Sequence, residues 1–156
     1  MEFYYNMMNW DKTFIEIAKL VAEHSTCVRK QVGALIVKDK RIVSTGYNGV
    51  PSGLKHCNKF FTASDLKKPD FYNKHGDFSK KFELHAEQNA ILFAGKVSTS
   101  CEDATLYTTL SPCSDCCKLI AGAGIKRVVY YEEYDRDIAG IDLLKQLGIE
   151  VIQVAD

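Results

Sequence analysis

Two short motifs bring together the residue types that a catalytic zinc site needs. His85-Ala-Glu87 begins one predicted helix, and Pro112-Cys113-Ser-Asp-Cys116 begins another. Two cysteines three residues apart in the first turn of a helix can face one ion, and the helix dipole favours their thiolate forms. With His85 they make three protein ligands, which leaves the fourth position of a tetrahedral zinc open to water. The spacing therefore predicts a catalytic zinc site.

Glu87 has a different predicted role, that of proton carrier. Zinc lowers the pKa of its bound water from about 15.7 toward 7. Glu87 can reach that water without binding the metal, take its proton and deliver it to a ring nitrogen and a departing amine. His-x-Glu followed by Pro-Cys-x-x-Cys is the signature of zinc nucleobase deaminases. A lone Cys-x-x-Cys is more often a structural zinc corner or a redox pair, but structural zinc uses four protein ligands, and the sequence has no second such pair.

The composition limits the class of protein and of partner. The chain has 156 residues, of which 46% are hydrophobic and 26% charged, which predicts one globular domain over residues 1–156. Lys plus Arg equals Asp plus Glu at 20 each, which argues against a nucleic acid polymer as partner. No apolar run approaches the length of about 20 residues that spans a bilayer, and Met1 to Trp10 lacks the order of a secretory signal. We therefore expect a cytoplasmic protein without a membrane partner, in which the presence of six cysteines indicates metal or redox chemistry rather than a disulfide framework.

The hydrophobic pattern predicts a mixed α/β domain. A helix capped by Asn9 is followed by a hairpin, and then by a segment of little periodicity, residues 50–82, that is long for an idle loop. The predicted elements are helix 9–25, strands 31–37 and 41–45, helix 85–93, strand 104–109, a helix after Pro112, strand 126–131, helix 137–147 and strand 150–154. This order predicts a mixed five-stranded sheet with helices on both faces.

Several longer motifs extend over nearly the whole chain. They are Lys30-Gln-Val-Gly-Ala34, Gly46-Tyr-Asn-Gly-Val-Pro51, His85-Ala-Glu-Gln-Asn-Ala-Ile91, Leu110-Ser-Pro-Cys113, Ala121-Gly-Ala-Gly-Ile125 and Tyr134-Asp135. On these residues the chain resembles the deoxycytidylate (dCMP) deaminase family, and especially its phage-encoded members. The resemblance implies the three-layer α/β/α cytidine deaminase fold and zinc-dependent conversion of dCMP to dUMP, a dTTP precursor. It also implies a homo-oligomer, commonly a hexamer, activated by dCTP, inhibited by dTTP with Mg²⁺, and located in the host cytoplasm if phage-encoded.

The same resemblance implies roles for residues that bind the substrate. Asn48 would hold the sugar, the backbone around Ala86 would contact the pyrimidine, and Ser111 and Tyr134 are candidates for the phosphate. Each has a plainer interpretation: Asn48 as a turn residue before Gly49, Ser111 as a polar loop group, and Tyr134 as a half-buried aromatic.

The loop after the second predicted strand is the predicted effector site. Its glycines would let the backbone approach a triphosphate closely, and an ordinary glycine turn is the alternative. The residues assigned to this site by resemblance are Gly46, Tyr47, Gly49, Pro51 and Gly53.

A second, structural zinc is predicted for the irregular segment. Cys27 and Cys57 have no other role, His75 lies within the segment, and phage members of the family resemble this pattern, with a glutamate in the place of Glu83. A metal would explain how so irregular a segment is ordered. His56 competes with Glu83 for the last position, and the plainer alternative is two buried thiols and a surface histidine. Cys117, next to a predicted ligand, is expected to be a small buried hydrophobe, because adjacent helical residues point about 100° apart.

Three other functions share part of this pattern. A tRNA adenosine deaminase has the same zinc motifs but needs a basic face for its substrate, which a neutral chain does not favour. A riboflavin-pathway deaminase usually comes fused to a reductase. A binding module with a purely structural zinc would lack the proton carrier or add a fourth protein ligand, and Glu87 argues against it.

Overall fold

A computed structural model describes residues 8–156 of the chain. The first residues of the Met1 to Trp10 segment, and of the predicted domain over residues 1–156, lie outside the described part. The first helix begins where predicted, because Asn9 Oδ1 accepts a hydrogen bond of 2.7 Å from the backbone nitrogen of Asp11. That the chain is a single domain stays a prediction.

The described residues form five helices and five strands. The helices are α1 (Trp10–Ala22), α2 (Phe71–Phe82), α3 (Ala86–Lys96), α4 (Ser114–Gly122) and α5 (Ala139–Gln146). The strands are β1 (Gly33–Lys38), β2 (Arg41–Tyr47), β3 (Thr105–Leu110), β4 (Arg127–Glu132) and β5 (Glu150–Gln153). Within residues 8–156, no helix has the length and apolar character needed to cross a membrane.

The strands form one mixed sheet in the order β2-β1-β3-β4-β5. The pairs β1/β2 and β1/β3 are antiparallel, whereas β3/β4 and β4/β5 are parallel. The hairpin between β1 and β2 turns at Asp39 and Lys40, both of which have positive φ angles. Because β1 is antiparallel to β3, the first residues of β1 lie beside the last residues of β3. The candidate site described below lies at these strand ends.

Alternating side chains bury both faces of the sheet. Leu106 and Val128 pack with α3, α4 and α5 on one face, and their neighbours Tyr107 and Val129 pack with α1 on the other. This arrangement confirms the predicted three-layer α/β/α fold. One glycine lets a helix approach closely: a Cβ on Gly46 would lie 2.3 Å from Ala86 O of α3.

The prediction of an irregular segment over residues 50–82 was wrong for its last third, which forms α2. Its buried residues Phe71, His75 and Phe78 have helical spacing. The sequence did not indicate this helix, because a histidine occupies one of its three buried positions. Gly76 and the many polar residues further weaken the apolar periodicity. Before α2 the chain makes two short 3₁₀ helices, Cys57–Lys59 and Ala63–Lys67.

Candidate active site

The predicted zinc ligands meet where two helices begin. His85 is the residue before α3, and its backbone nitrogen donates a 2.7 Å hydrogen bond to Gln88 Oε1, which fixes the start of that helix. Cys113 is the residue before α4, and Cys116 lies in its first turn. His85 Nδ1 is 3.5 Å from Cys113 Sγ and 3.3 Å from Cys116 Sγ. Zinc bonds of about 2.3 Å to sulfur and 2.0–2.1 Å to nitrogen at the tetrahedral angle would separate these atoms by about 3.6 Å, so the three donors fit one zinc ion.

The electrostatics of this catalytic cluster favour a thiolate. A hydrogen bond from Cys116, helped by His85, lowers the pKa of Cys113 to about 4 against the opposing effect of burial. The pKa of Cys116 is raised, first because its proton is shared with the Cys113 sulfur. A positive ion bound between the sulfurs would favour the thiolate form of both. His85 remains exposed to solvent, so the cluster is open on one side.

Glu87 lies beside this cluster and is 4% exposed. Its Oε1 lies 3.3 Å from Thr108 Oγ1 of β3, whose single proton has a nearer acceptor in Leu110 O at 2.9 Å, and its Oε2 is 3.7 Å from Cys116 Sγ. Burial raises the pKa of the Glu87 carboxyl. Glu87 is outside the set of metal ligands and next to them, which is the placement that a proton carrier needs.

A cavity of about 490 Å³ opens onto the cluster, a volume typical of small-molecule sites. The four residues predicted to bind substrate all line it: Asn48, Ala86, Ser111 and Tyr134. Asn48 Oδ1 accepts from the backbone nitrogen of Val32, and its Nδ2 donates to Lys30 O, each at 2.8 Å. One N–H and one lone pair of this amide remain for a ligand, so its structural and binding roles are compatible.

Ser111 and Tyr134 are joined to each other. Ser111 Oγ accepts a 2.6 Å hydrogen bond from the backbone nitrogen of Tyr134 and is buried. The hydroxyl therefore holds the loop after β4 against the end of β3, and its own proton is still available to a ligand.

The residues predicted for the second zinc also come together. His75 Nε2 lies 3.4 Å from Cys27 Sγ and 3.5 Å from Cys57 Sγ, and Glu83 completes a group whose ligand atoms lie within 4.8 Å of one another. Cys27, Cys57 and His75 are buried. Burial lowers the pKa of His75 and raises that of Cys57 to about 12. His56, the alternative fourth residue, is exposed and outside the group.

Two buried atoms of this second cluster lack a hydrogen-bond partner within residues 8–156. They are Glu83 Oε1 and His75 Nδ1, while Glu83 Oε2 accepts from Ser79 Oγ at 3.1 Å. A buried carboxylate oxygen without a partner is costly, and a metal ion would satisfy it. Two thiols, an imidazole and a carboxylate form a complete tetrahedral set for zinc.

Comparison with known proteins places the chain in a family. Residues 8–132 match the model of the cytidine and deoxycytidylate deaminase zinc-binding region. The chain belongs to this family. Deoxycytidylate deaminases of Enterobacteria phages T2 and T4 are each 41% identical to it over 91% of the chain, covering 90% and 88% of their own lengths. A crystal structure of the cyanophage S-TIM5 dCMP deaminase with dCMP and dUMP is 38% identical, covers 95% of this chain and 100% of its own, and superposes with a TM-score of 0.77.

Sequence reasoning about this deaminase missed several residues of the cavity. Arg29, Lys30, Tyr72 and Arg136 line it, and Thr108 contacts the carboxylate of Glu87. Lys30 and Glu132 form an ion pair of 2.7 Å. Lys30 stands beside the Val-Gly-Ala motif, and this position could have indicated that it lines the site. Tyr72 and Arg136 are far from each other in the sequence, so no spacing indicated that they meet.

The five residues predicted to bind the effector lie outside the lining of this cavity, although Asn48 between them is part of it. Gly46 is buried within β2 against α3, so close packing already requires a glycine there. Gly53 has a φ of +96°, which favours glycine in the turn after Pro51. Tyr47 and Gly49 lie at the end of β2 and beyond it, and an effector role for the loop stays a prediction.

Cys117 is a buried hydrophobe, as expected. Its Sγ points at Pro112 O, 3.6 Å away, and lies outside both clusters. Burial raises its pKa to about 12, which keeps it a neutral thiol. Cys101 packs in the same core.

Proposed function

We propose that this deaminase hydrolyses dCMP to dUMP and ammonia. The observation that carries the proposal is the buried Glu87 carboxylate beside a three-donor cluster at the base of an open cavity. The named deaminases of phages T2 and T4, and the cyanophage enzyme with dCMP and dUMP bound, support the choice of substrate.

The reaction replaces the amine at C4 of the pyrimidine by oxygen from water. Zinc held by His85, Cys113 and Cys116 would supply a water molecule of lowered pKa. Glu87 would take one proton from the attacking water and give it to the ring nitrogen N3. It would then move the second proton, from the hydroxyl now on C4, to the amino group, so that the C4–N bond breaks and ammonia leaves. Thr108 Oγ1 contacts one carboxylate oxygen of Glu87, and the other oxygen lies next to Cys116 of the cluster.

The cavity offers a place for each part of the nucleotide. We assign the pyrimidine to the backbone around Ala86 and the sugar to the Asn48 side chain, both of which line the cavity. The phosphate is assigned to Arg29, Lys30 and Arg136, which line the cavity together with Ser111 and Tyr134. Guanidinium groups match phosphate oxygens in charge and geometry.

Ammonia release from separate substrates tests this proposal. Purified zinc-loaded protein is given dCMP, deoxycytidine, dCTP, cytidine and adenosine at equal concentrations. We expect dCMP to be turned over with the highest kcat/KM. Preference for adenosine would instead indicate the tRNA deaminase alternative, and release from none of them with zinc bound would favour a binding module.

We also propose that the second cluster holds a structural zinc that orders residues 50–82. Its support is the complete set of four donors and the unsatisfied Glu83 oxygen. The metal would join the loop after α1, the 3₁₀ helix at Cys57 and helix α2, which are distant in sequence.

The remaining proposals concern regulation, assembly and location. From the resemblance to the dCMP deaminase family we propose activation by dCTP, inhibition by dTTP with Mg²⁺, a homohexamer, and action in the host cytoplasm. Initial rates over a range of dCMP concentrations, with each effector added, test the regulation. Hyperbolic kinetics that neither nucleotide changes would contradict it, and light scattering gives the oligomer mass.

A further inference from the structure

Tyr72 connects the two clusters across the cavity. It lies in the first turn of α2, and its ring is 52% exposed although it lines the same cavity as His85 and Glu87. Arg136 Cζ lies 4.6 Å from the ring centroid, and Arg29 Cζ lies 5.7 Å from it. Three separate segments of the chain thus place two guanidinium groups on one aromatic ring.

The two arginines form a local excess of positive charge. Among residues 8–156 neither takes part in an ion pair, whereas Lys30 is paired with Glu132. Glu133 and Asp135 also line the cavity and oppose a larger positive field. Arg29 and Arg136 are therefore the basic residues of the cavity that are available to bind an anion. Their like charges repel each other, so a neighbouring group must offset this repulsion if they are to stay close.

The second cluster fixes the position of Tyr72. His75, one helical turn later, faces the thiols of Cys27 and Cys57, and Phe71 stacks on its ring with centroids 5.2 Å apart. Phe71 also packs edge-on against Tyr72 at 5.6 Å. Arg29 is two residues after Cys27 in the sequence. Tyr72 and Arg29 therefore both lie close in the chain to residues of the second cluster.

We propose that Tyr72 is a positioning residue that holds Arg29 and Arg136 in place for the phosphate of the nucleotide. The π face of its ring offsets the repulsion between the two cations and sets their spacing. Through Tyr72 the segment built on the second cluster acts on binding of the monophosphate and not on the chemical step. This inference rests on the proposed deamination of a nucleoside monophosphate.

The test separates binding from turnover with two substitutions at this position. Tyr72→Phe keeps an aromatic face, and Tyr72→Leu removes it. Phe60→Leu is the control, because Phe60 is 54% exposed in the same segment and lies outside the cavity lining. Binding of dUMP and of deoxyuridine, which lacks the phosphate, is measured by calorimetry on zinc-loaded protein, and kcat and KM are measured for dCMP.

We expect Tyr72→Leu to weaken dUMP binding and to raise KM for dCMP by about tenfold, which corresponds to about 1.4 kcal/mol. Deoxyuridine binding, kcat and zinc content should change less than about twofold, as should every value for Tyr72→Phe and Phe60→Leu. Because Tyr72 acts through its arginines, the combined Tyr72→Leu/Arg136→Met variant should lose less dUMP affinity than the product of the two single losses.

Three results would overturn the inference. They are unchanged dUMP binding in Tyr72→Leu, an equal loss for deoxyuridine, or loss of a zinc ion from that variant. The proposed function has a separate outcome, because it is contradicted if wild-type protein releases no ammonia from dCMP. In that case the ratio of dUMP to deoxyuridine affinity in wild type and Tyr72→Leu still decides the role of Tyr72.

Discussion

The two clusters use similar donors but differ in how the chain covers them. The catalytic cluster has three donors, its His85 is exposed, and it opens into the cavity. The second cluster has four donors, and its two thiols and its imidazole are buried although Cys27, His75 and Glu83 also line this cavity. A metal with an open position can act on a substrate, whereas a metal enclosed by four protein donors can only hold the chain together.

The clusters are nevertheless adjacent in the chain. Glu83 of the second cluster and His85 of the catalytic cluster are separated by Leu84 alone. Leu84 exchanges two backbone hydrogen bonds with Gly49, of 2.8 and 3.0 Å, next to Asn48. In an extended segment residues two apart point to the same side, and Glu83 and His85 both line the cavity. Substitutions only a few residues apart nevertheless test the two sites separately.

The largest expected effect is that of Glu87→Gln. The amide keeps the shape of the side chain but cannot carry the proton, so kcat for dCMP should fall by about 10²–10⁴-fold while zinc stays bound. Glu83→Gln is the matched control, because it changes the carboxylate of the second cluster and should leave kcat within about threefold, as expected for a group outside the chemical step. Near-normal turnover in Glu87→Gln would disprove the assigned proton carrier.

Removing a thiol from the second cluster should cost stability and one metal ion. We expect Cys57→Ser to retain one zinc per chain where wild type holds two, and its Tm to fall by about 5–10 °C, the equivalent of about 2–3 kcal/mol. Cys101→Ser changes a buried thiol outside both clusters and should keep two zinc ions. Elemental analysis and thermal unfolding provide the readouts. A wild-type protein that holds a single zinc after gentle purification would count against the second site.

Two glycines of the predicted effector loop should behave differently. A methyl group at Gly46 would meet the backbone of α3, 2.3 Å from Ala86 O and 2.5 Å from Ala90 N, so Gly46→Ala should destabilise the protein by about 1–3 kcal/mol. Gly49→Ala meets nothing within 4 Å and should leave stability unchanged. Urea unfolding compares the two. If Gly49→Ala is stable but abolishes the response to dCTP, the loop binds the effector; equal stability of both variants would refute the packing argument for Gly46.

Chelation should distinguish the clusters by rate. The catalytic cluster has an exposed ligand, His85, and only three protein donors, whereas in the second cluster four protein donors would hold the ion and the two thiols and the imidazole are buried. With a chelator in excess, we expect zinc release in two phases that differ by about tenfold or more, with loss of activity following the fast phase. A single phase for both ions would mean that burial does not protect the second site.

Local sequence patterns determined the chemistry of the catalytic cluster. The three-residue spacing of Cys113 and Cys116, and the two-residue step from His85 to Glu87, are set by the geometry of a helix start. Short β-rich runs likewise predicted the strands, and the order of helices and strands predicted the mixed sheet. The motifs and the strands could be predicted because each depends on residues that are neighbours both in the sequence and in space.

Only the tertiary structure decided which distant residues share a site. Helix α2 was hidden because one of its buried positions is His75, a residue that sequence patterns count as polar. The choice of Glu83 over His56, and the meeting of Arg29 and Arg136 on Tyr72, depend on how the segment before α3 folds back over the cavity. Residues that are tens of positions apart show no characteristic spacing when they are in contact. The turns and loops between them vary in length and path, and tertiary packing decides where that path leads.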